Sequence, residues 1–278
     1  MGYALRFDGS QTIDLAAIDT RGDRDLAKAA GEVDLGALVE ELGELQELLF
    51  AAGTDALLIV LQGMDTSGKD GTIRHVLDDM DPPGVQVHSF KVPTAEERAH
   101  DFLWRHHLHT PPVSMVSVFN RSYYEAVLVE LVKNIVSPDV VASRYPHIND
   151  FERLLTESHT IVVKFFLHIS KKTQEERLLA RQEEIEKWWK LALGDWQERE
   201  HWDAYMAAYQ AALAATATPQ APWYVVPSDR KWYRNLAVAE ALAAALRPYR
   251  DGWLAALRER GEHELAALRE AGYAAPAE

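Results

Sequence analysis

The stretch LLIVLQGMDTSGKDGTIRHVL, residues 57–77, decides the fold of this chain. An apolar run of strand length ends at Gly63, and a loop with three glycines and one lysine, Lys69, leads into a helical segment. The loop fits the pattern G-x-x-x-x-G-K, in which backbone amides and a helix N-terminus converge on phosphate oxygens. Because a strand precedes the loop and a helix follows it, we predict a phosphate-binding loop (residues 63–69) rather than an ordinary glycine-rich turn.

Two acids make this phosphate loop unusual. The position after the lysine, where such loops carry a Ser or Thr that binds magnesium, holds Asp70, and Asp65 lies inside the loop. Two carboxylates beside a phosphate would repel it unless metal ions or bases screen them. The loop therefore indicates a metal-dependent site, with the alternative that Asp70 only caps the following helix.

Composition excludes several classes of protein. The 278 residues carry a net charge of −14, from 43 acids against 29 Lys and Arg, which argues against a general nucleic-acid surface. The absence of cysteine excludes disulfides, thiolate metal sites and Cys nucleophiles. No apolar stretch is long enough to span a bilayer, and the N-terminus lacks the pattern of a secretory signal. We expect a cytoplasmic protein that binds neither nucleic acid nor membrane.

The rest of the chain alternates strands and helices. Five apolar runs have strand length, and several are apolar on consecutive residues, as in parallel strands covered on both faces: 56–62, 85–90, 114–119, 160–169 and 223–227. Helices are predicted over 35–49, 71–80, 94–109, 122–134, 147–157, 171–190, 195–215 and 231–246. This alternation predicts an α/β sandwich in one domain, 1–278, with an irregular N-terminal arm over 1–30 and a C-terminal helical tail over 247–278.

A second motif, VSVFNRSYYE, occupies residues 116–125. Asn120 ends a strand and Arg121 follows it, where nucleoside-phosphate kinases carry an acid next to the metal. Ligands of open α/β sheets gather at the carboxyl ends of strands, so a functional role is favoured over a plain turn with a surface arginine.

Four segments together resemble the polyphosphate kinase 2 family: GMDTSGKDG (63–71), SFKVPT (89–94), FNRSYYE (119–125) and KWWK (187–190). The similarity extends from about residue 35 to 246. The Asn of FNRS, with YPHINDFERLL (145–155) and KWYRNLAV (231–238), resembles the class III subgroup, whose members are taken to phosphorylate AMP and ADP from polyphosphate. The resemblance implies a P-loop kinase-like three-layer sandwich with a five-stranded parallel sheet and a helical lid over 171–200. It also implies Mg²⁺, or alternatively Mn²⁺, as cofactor; inorganic polyphosphate, AMP, ADP and ATP as ligands; and a homodimer or homotetramer.

The resemblance also implies the residues of the site. The catalytic set is Asp65, Lys69, Asn120, Arg121 and Arg181, with Asp65 also the metal ligand. The residues implied to bind phosphate or nucleotide are Gly63, Met64, Thr66, Ser67, Gly68, Asp70, Gly71, Thr72, Lys91, Arg105, Glu125, Arg177, Lys187 and Lys190. Lys91 lies in the segment that leads to the nucleotide pocket, and the last three bases belong to the lid. The alternative for the lid is a solvated face on which the bases pair with Glu175, Glu176, Glu183 and Glu184.

Two further choices stay open on the residues alone. RHHLH, residues 105–109, resembles a histidine metal site, but with no third ligand evident a polar helix face is favoured. For function, the resemblance favours a polyphosphate-dependent nucleotide phosphotransferase. The alternative is an ATP-dependent nucleoside monophosphate kinase, and only the family resemblance distinguishes the two functions. A non-catalytic nucleotide-binding switch is disfavoured because the lid is basic and the switch motifs are missing.

Overall fold

A six-stranded sheet forms the centre of the protein in a computed structural model, which describes residues 2–273. The strands are β1 Leu5–Phe7, β2 Ala56–Gln62, β3 Val85–Ser89, β4 Val116–Asn120, β5 Thr160–His168 and β6 Trp223–Pro227. Their order across the sheet is β1-β6-β5-β2-β4-β3. β2 to β6 are mutually parallel, as predicted, and β1 pairs antiparallel with β6.

The five predicted parallel strands are all present, and β1, within the predicted irregular arm over 1–30, adds a sixth, antiparallel strand. This strand has three residues, of which only Phe7 is buried, so it leaves no periodic signal in the sequence. It forms because β6 would otherwise be an open sheet edge, and Leu5 aligns with Val225 there.

Helices cover both faces of the sheet. The α-helices of the described residues are α1 Lys28–Ala52, α2 Lys69–Val76, α3 Ala95–Ala99, α4 Trp104–His107, α5 Val129–Val132, α6 Pro138–Glu157, α7 Lys171–Glu183, α8 Leu193–Glu200, α9 Trp202–Thr216, α10 Lys231–Leu246 and α11 Arg250–Glu270. Short 3₁₀ turns lie at Tyr123–Ala126 and Ile185–Lys190. No helix within residues 2–273 is long and apolar enough to cross a membrane.

Helix boundaries deviate from the prediction where capping or a turn intervenes. The helix expected over 94–109 is split into α3 and α4, with extended backbone at His100. α6 begins nine residues earlier than the predicted 147, because Ser137 caps it and a proline occupies its first turn. The C-terminal tail is helical as far as Glu270, and residues 274–278 of the predicted tail lie outside the described part of the chain.

β2 shows how the three layers form. Each of its seven residues is buried, and alternate side chains point to opposite faces. Leu58 packs in a cluster with residues of α6 and α9, whereas Leu57 packs in a second cluster with residues of α1 and α10. The phosphate loop follows β2 directly, and β4 and β5 flank β2. The carboxyl ends of these strands therefore meet at one edge of the sheet, where the candidate site lies.

Candidate active site

The backbone of the phosphate loop requires glycine at two positions. Gly63 has φ 152° and Gly68 has φ 110°, a region that favours glycine. A Cβ atom at Gly63 would lie 2.8 Å from the Leu167 carbonyl oxygen, and one at Gly68 would lie 1.7 Å from Nη1 of Arg234. The loop thus has the tight path from strand to helix that its motif predicts.

Hydroxyl groups of this region lack partners. The side-chain oxygens of Thr66, Ser67 and Thr72 are buried and have no hydrogen-bond partner within the described residues. A buried hydroxyl without a partner costs about 1–3 kcal/mol. An anion with several acceptor oxygens would supply the missing partners, so these orphaned groups fit a phosphate site.

Lys69 lies folded against the end of β2. Its Nζ donates to the Gly63 carbonyl at 2.7 Å and to the Met64 carbonyl at 3.3 Å. Burial, and then the neighbouring charge of Arg121, lower the pKa of Lys69 to about 8. The ammonium is therefore mostly charged at neutral pH, and backbone carbonyls hold it inside the loop.

Arg121 joins the second motif to the phosphate loop. Its Nη2 donates to Oδ1 of Asp65 at 2.7 Å, and its Nη1 lies 3.6 Å from Glu125. Burial opposes the charge of Arg121, but Glu125 and Asp65 hold its pKa above the usual value. Arg121 also has φ 62°, a left-handed backbone that costs about 1–2 kcal/mol. Such strain is typical of functional sites.

Asn120 contacts the acid that follows the lysine. Its Nδ2 donates to Oδ1 of Asp70 at 2.7 Å, and Oδ2 of Asp70 lies 4.0 Å from Nζ of Lys190. Asp70 lies in the first turn of α2, and no side chain caps this helix. The capping alternative for Asp70 is therefore wrong, and this acid instead joins the loop to the second motif.

The bases predicted for the lid have different surroundings from one another. Arg181 pairs with Asp195 at 2.6 Å, and Lys187 pairs with Glu184. The solvated-face alternative thus describes Lys187. Lys190 approaches Asp70, the residue that follows the phosphate loop, at 4.0 Å.

Arg177 faces the backbone rather than the expected phosphate position. Its guanidinium donates to the carbonyls of Thr66, at 2.8 Å, and Ser67, at 3.2 Å. It also donates to the carbonyls of Ser228, at 2.6 Å, and Asp229, at 3.0 Å. It therefore braces the loop from behind.

Comparison with known proteins identifies the family. The model of the family described as polyphosphate kinase 2 matches residues 25–251. The chain belongs to the polyphosphate kinase 2 family. It is 49% identical to an AMP/ADP-polyphosphate phosphotransferase of Meiothermus ruber, with 79% of this chain and 82% of that protein covered. It is 44% identical to an ADP-polyphosphate phosphotransferase of Rhodopseudomonas palustris, over 75% of this chain and 76% of that one.

A solved structure confirms the fold. The crystal structure of polyphosphate kinase 2 from Arthrobacter aurescens TC1 superimposes with a TM-score of 0.83 at 44% identity, over 88% of this chain and 92% of that one. The predicted α/β architecture is therefore that of a polyphosphate kinase 2, with β1 added to the parallel sheet.

A buried arginine, Arg105, holds the segment SFKVPT (89–94), which the family resemblance places next to the nucleotide pocket. Arg105 donates to the Lys91 carbonyl at 2.9 Å and to Glu97 at 3.1 Å, and its guanidinium lies over the Phe90 ring. The Lys91 side chain itself is exposed. In this polyphosphate kinase 2, Arg105 therefore supports the backbone of the segment, and the Lys91 side chain lies at the surface.

His106 differs from both sequence interpretations of RHHLH, whereas His107 is exposed. Within residues 2–273 no group of three His, Asp or Glu side chains is placed to hold a metal ion. His106 is not on a polar face either. It is buried, with Nδ1 3.2 Å from the Phe102 carbonyl oxygen and its ring against Phe90.

The acids at the loop nevertheless fit a metal ion that arrives with phosphate. Magnesium in kinases is typically held by one or two carboxylates together with substrate oxygens and water, not by a cage made of protein alone. Asp65 and Asp70 offer such carboxylates, and Glu125 lies near Arg121 on the same side. Burial raises the pKa of Glu125, against the opposing effects of Arg121 and Lys69.

Two residues near the site were missed by sequence reasoning. Asp195, on α8, pairs with Arg181, and burial, followed by the charge of Asp65, raises its pKa. Arg234, on α10, is buried and donates to the Ser67 carbonyl at 3.3 Å. The only sequence signal for Arg234 was its place in KWYRNLAV, and Asp195 had none.

Proposed function

We propose that this protein transfers the terminal phosphoryl group of inorganic polyphosphate to AMP and ADP, reversibly, as a class III-like polyphosphate kinase 2. The observation that carries the proposal is the 2.7 Å contact between Asp65 and Arg121 beside Lys69. It brings a loop acid, a second-motif base and the loop lysine to one place at the edge of the sheet. The names of relatives at 44–49% identity support polyphosphate and AMP or ADP as substrates.

In the proposed reaction, an oxygen of the acceptor's last phosphate attacks the terminal phosphorus of polyphosphate. One new P–O bond forms, the bridging P–O bond breaks, and the shortened polyphosphate leaves with its electron pair. Phosphoryl transfer of this kind depends mostly on positioning and charge stabilisation. Bound Mg²⁺, or Mn²⁺, supplies charge neutralisation at the phosphate oxygens.

The chain's own residues divide this work between the two substrates. Lys69 exchanges its two carbonyl partners for phosphate oxygens, and Arg121 offers the guanidinium that now faces Asp65. Lys190 reaches the loop from the lid, and Arg181 becomes available to polyphosphate when it leaves Asp195. On the acceptor side, Lys91 extends from the segment that Arg105 supports.

The test offers AMP or ADP with either long-chain polyphosphate or ATP as donor, in Mg²⁺ and in EDTA. We expect ADP and ATP to form from polyphosphate and the reaction to stop in EDTA. Phosphorylation of AMP by ATP alone would instead identify a nucleoside monophosphate kinase. Nucleotide binding without turnover from either donor would identify a switch.

We further propose that the chain folds as a single domain, with a lid over residues 171–200, and forms a homodimer or homotetramer in the cytoplasm. The family resemblance supports this assembly. Size-exclusion chromatography with light scattering measures its mass directly, and a monomer at assay concentration would contradict it.

A further inference from the structure

Two arginines from different helices share one acceptor beneath the phosphate loop. The Ser67 carbonyl accepts from Nη1 of Arg177 at 3.2 Å and from Nη1 of Arg234 at 3.3 Å. Arg177 comes from α7 and Arg234 from α10. The same backbone carbonyl therefore accepts hydrogen bonds from two different helices.

This contact fixes the direction of an amide. The Ser67 carbonyl and the Gly68 N–H belong to one planar trans peptide, so they point in opposite directions. Because the carbonyl faces the arginines, the Gly68 N–H faces away from them. Arg234 fills the space on its own side of Gly68, where a Cβ would lie 1.7 Å from Nη1. A phosphate must therefore approach from the other side, toward which the N–H points.

Arg234 is also an uncompensated charge. It is 3% exposed, and its other partner is the neutral Oδ1 of Asn235, at 2.7 Å from Nη2. Its hydrogen-bond acceptors within the described residues are the Ser67 carbonyl and Oδ1 of Asn235, and neither is a carboxylate. Burial, and then the charge of Arg177, lower the pKa of Arg234 to about 9. A buried cation without an acid costs several kcal/mol, so stability alone would favour an apolar side chain here.

We propose that Arg234 is a positioning residue for the donor phosphate chain: together with Arg177 it orients the Ser67–Gly68 peptide, and it keeps an unneutralised positive charge beneath the phosphate loop. This proposal rests on the proposed function, because it takes the anion bound at the phosphate loop to be a condensed phosphate. The cation is tolerated because the bound anion compensates it. If Arg234 served packing only, removing its charge would lower the stability of the protein and leave phosphate binding unchanged.

The test uses Arg234→Met, which keeps a long unbranched side chain without charge, and Arg234→Lys, which keeps the charge without the planar fork. Tripolyphosphate is the probe in calorimetric titration, and Tm is measured for each variant without ligand. For Arg234→Met we expect at least about a tenfold higher Kd for tripolyphosphate, about 1.4 kcal/mol, with a Tm equal to or above that of the wild type. The KM for AMP should change little, because the acceptor segment is elsewhere. Arg234→Lys should fall between the wild type and Arg234→Met in affinity.

The matched control is Arg247→Met, which removes a surface guanidinium that pairs with Glu41. It should leave tripolyphosphate affinity unchanged. Unchanged affinity with a lowered Tm in Arg234→Met would overturn the proposal, since Arg234 would then serve packing. If Arg234→Met does not fold, Arg234→Lys decides: weaker tripolyphosphate binding supports the proposal, and wild-type affinity overturns it. If the wild type binds ATP but not tripolyphosphate, the polyphosphate function fails, whereas weaker ATP binding by the variants would still support the role of Arg234.

Discussion

Replacing Lys69 with methionine separates the charge of the phosphate loop from its packing. Methionine has a similar length and no charge, and the lysine is buried with Nζ on two backbone carbonyls. Within residues 2–273 Lys69 is the base that donates to these carbonyls, so Lys69→Met should lower kcat/KM for phosphoryl transfer by about a hundredfold or more, equivalent to about 2.7 kcal/mol. The fold should survive, since the variant keeps the apolar stem.

The structure also predicts how the stability of this variant depends on pH. The pKa of Lys69 falls from 10.5 to about 8 on folding. This difference of about 2.5 units corresponds to roughly 3 kcal/mol of destabilisation by the buried charge. Between about pH 8 and 10.5 the unfolded chain holds more protons at this site than the folded chain, so the free energy of unfolding rises with pH. The penalty is fully present below pH 8 and disappears as the pH approaches 10.5.

Urea unfolding of the wild type and of Lys69→Met at a series of pH values isolates this effect, because other titrating groups are common to both. We expect the wild type to gain up to roughly 3 kcal/mol relative to the variant between about pH 8 and 10.5. Lys28→Met, which removes an exposed lysine near Glu32, is the control and should show no such difference. If the difference in free energy of unfolding between the wild type and Lys69→Met does not depend on pH, the pKa of Lys69 is not lowered by burial. Near-normal turnover of Lys69→Met would refute the assignment of the phosphate loop.

Three further predictions concern other parts of the site. Asn120→Asp should shift the ratio of kcat/KM for AMP to that for ADP several-fold at fixed magnesium, about 1 kcal/mol, because it changes local charge at nearly constant shape; a constant ratio would make Asn120 a general site residue. Arg181→Ala should raise the KM for polyphosphate more than the KM for nucleotide, and added salt should weaken polyphosphate binding. Equal effects on both ligands would contradict a role of Arg181 in binding polyphosphate. Lys164→Met should destabilise the protein by about 3–5 kcal/mol in urea unfolding, because the buried Glu152 carboxylate loses its counterion and keeps the neutral hydroxyl donors of Tyr123 and Tyr124. Adding Glu152→Gln should recover part of that loss, and a double variant as unstable as the single one would contradict this account.

Most of the parallel core could be predicted because β2, β4, β5 and β6 are buried on both faces, whereas β3 is a partly exposed edge strand. Strands buried on both faces appear in the sequence as continuous apolar runs, and β2 and β5 are buried at each residue. β1 could not be predicted in this way, because it has one buried residue and exists through pairing with β6. Helix ends were missed for a similar reason, since they depend on single caps such as Ser137.

The site could be predicted where its residues are contiguous in sequence. The phosphate loop and the Asn120–Arg121 pair were found because each motif combines residue type with a position at a strand end. The sequence could not show which groups each basic side chain contacts. Arg177 shares α7 with Arg181, yet one guanidinium contacts backbone carbonyls and the other contacts Asp195. Rotation and packing of α7 decide this, and a pattern of charges does not record them.

The contact between Asp70 and Asn120 explains how an acid can follow Lys69 beside the phosphate loop. Asp70 and Asn120 are 50 residues apart in the chain, and an amide hydrogen of Asn120 lies between their side chains at a donor–acceptor distance of 2.7 Å. An aspartate at residue 120 would place two carboxylates at that separation, and like charges so close destabilise each other unless a cation or proton intervenes. The amide removes this need, because it donates to Asp70 and carries no charge. The residue types at positions 70 and 120 are therefore coupled: an acid beside the phosphate loop is compatible with a neutral donor at the end of β4, and a change at either position alters the charge that an arriving phosphate and its metal ion must meet.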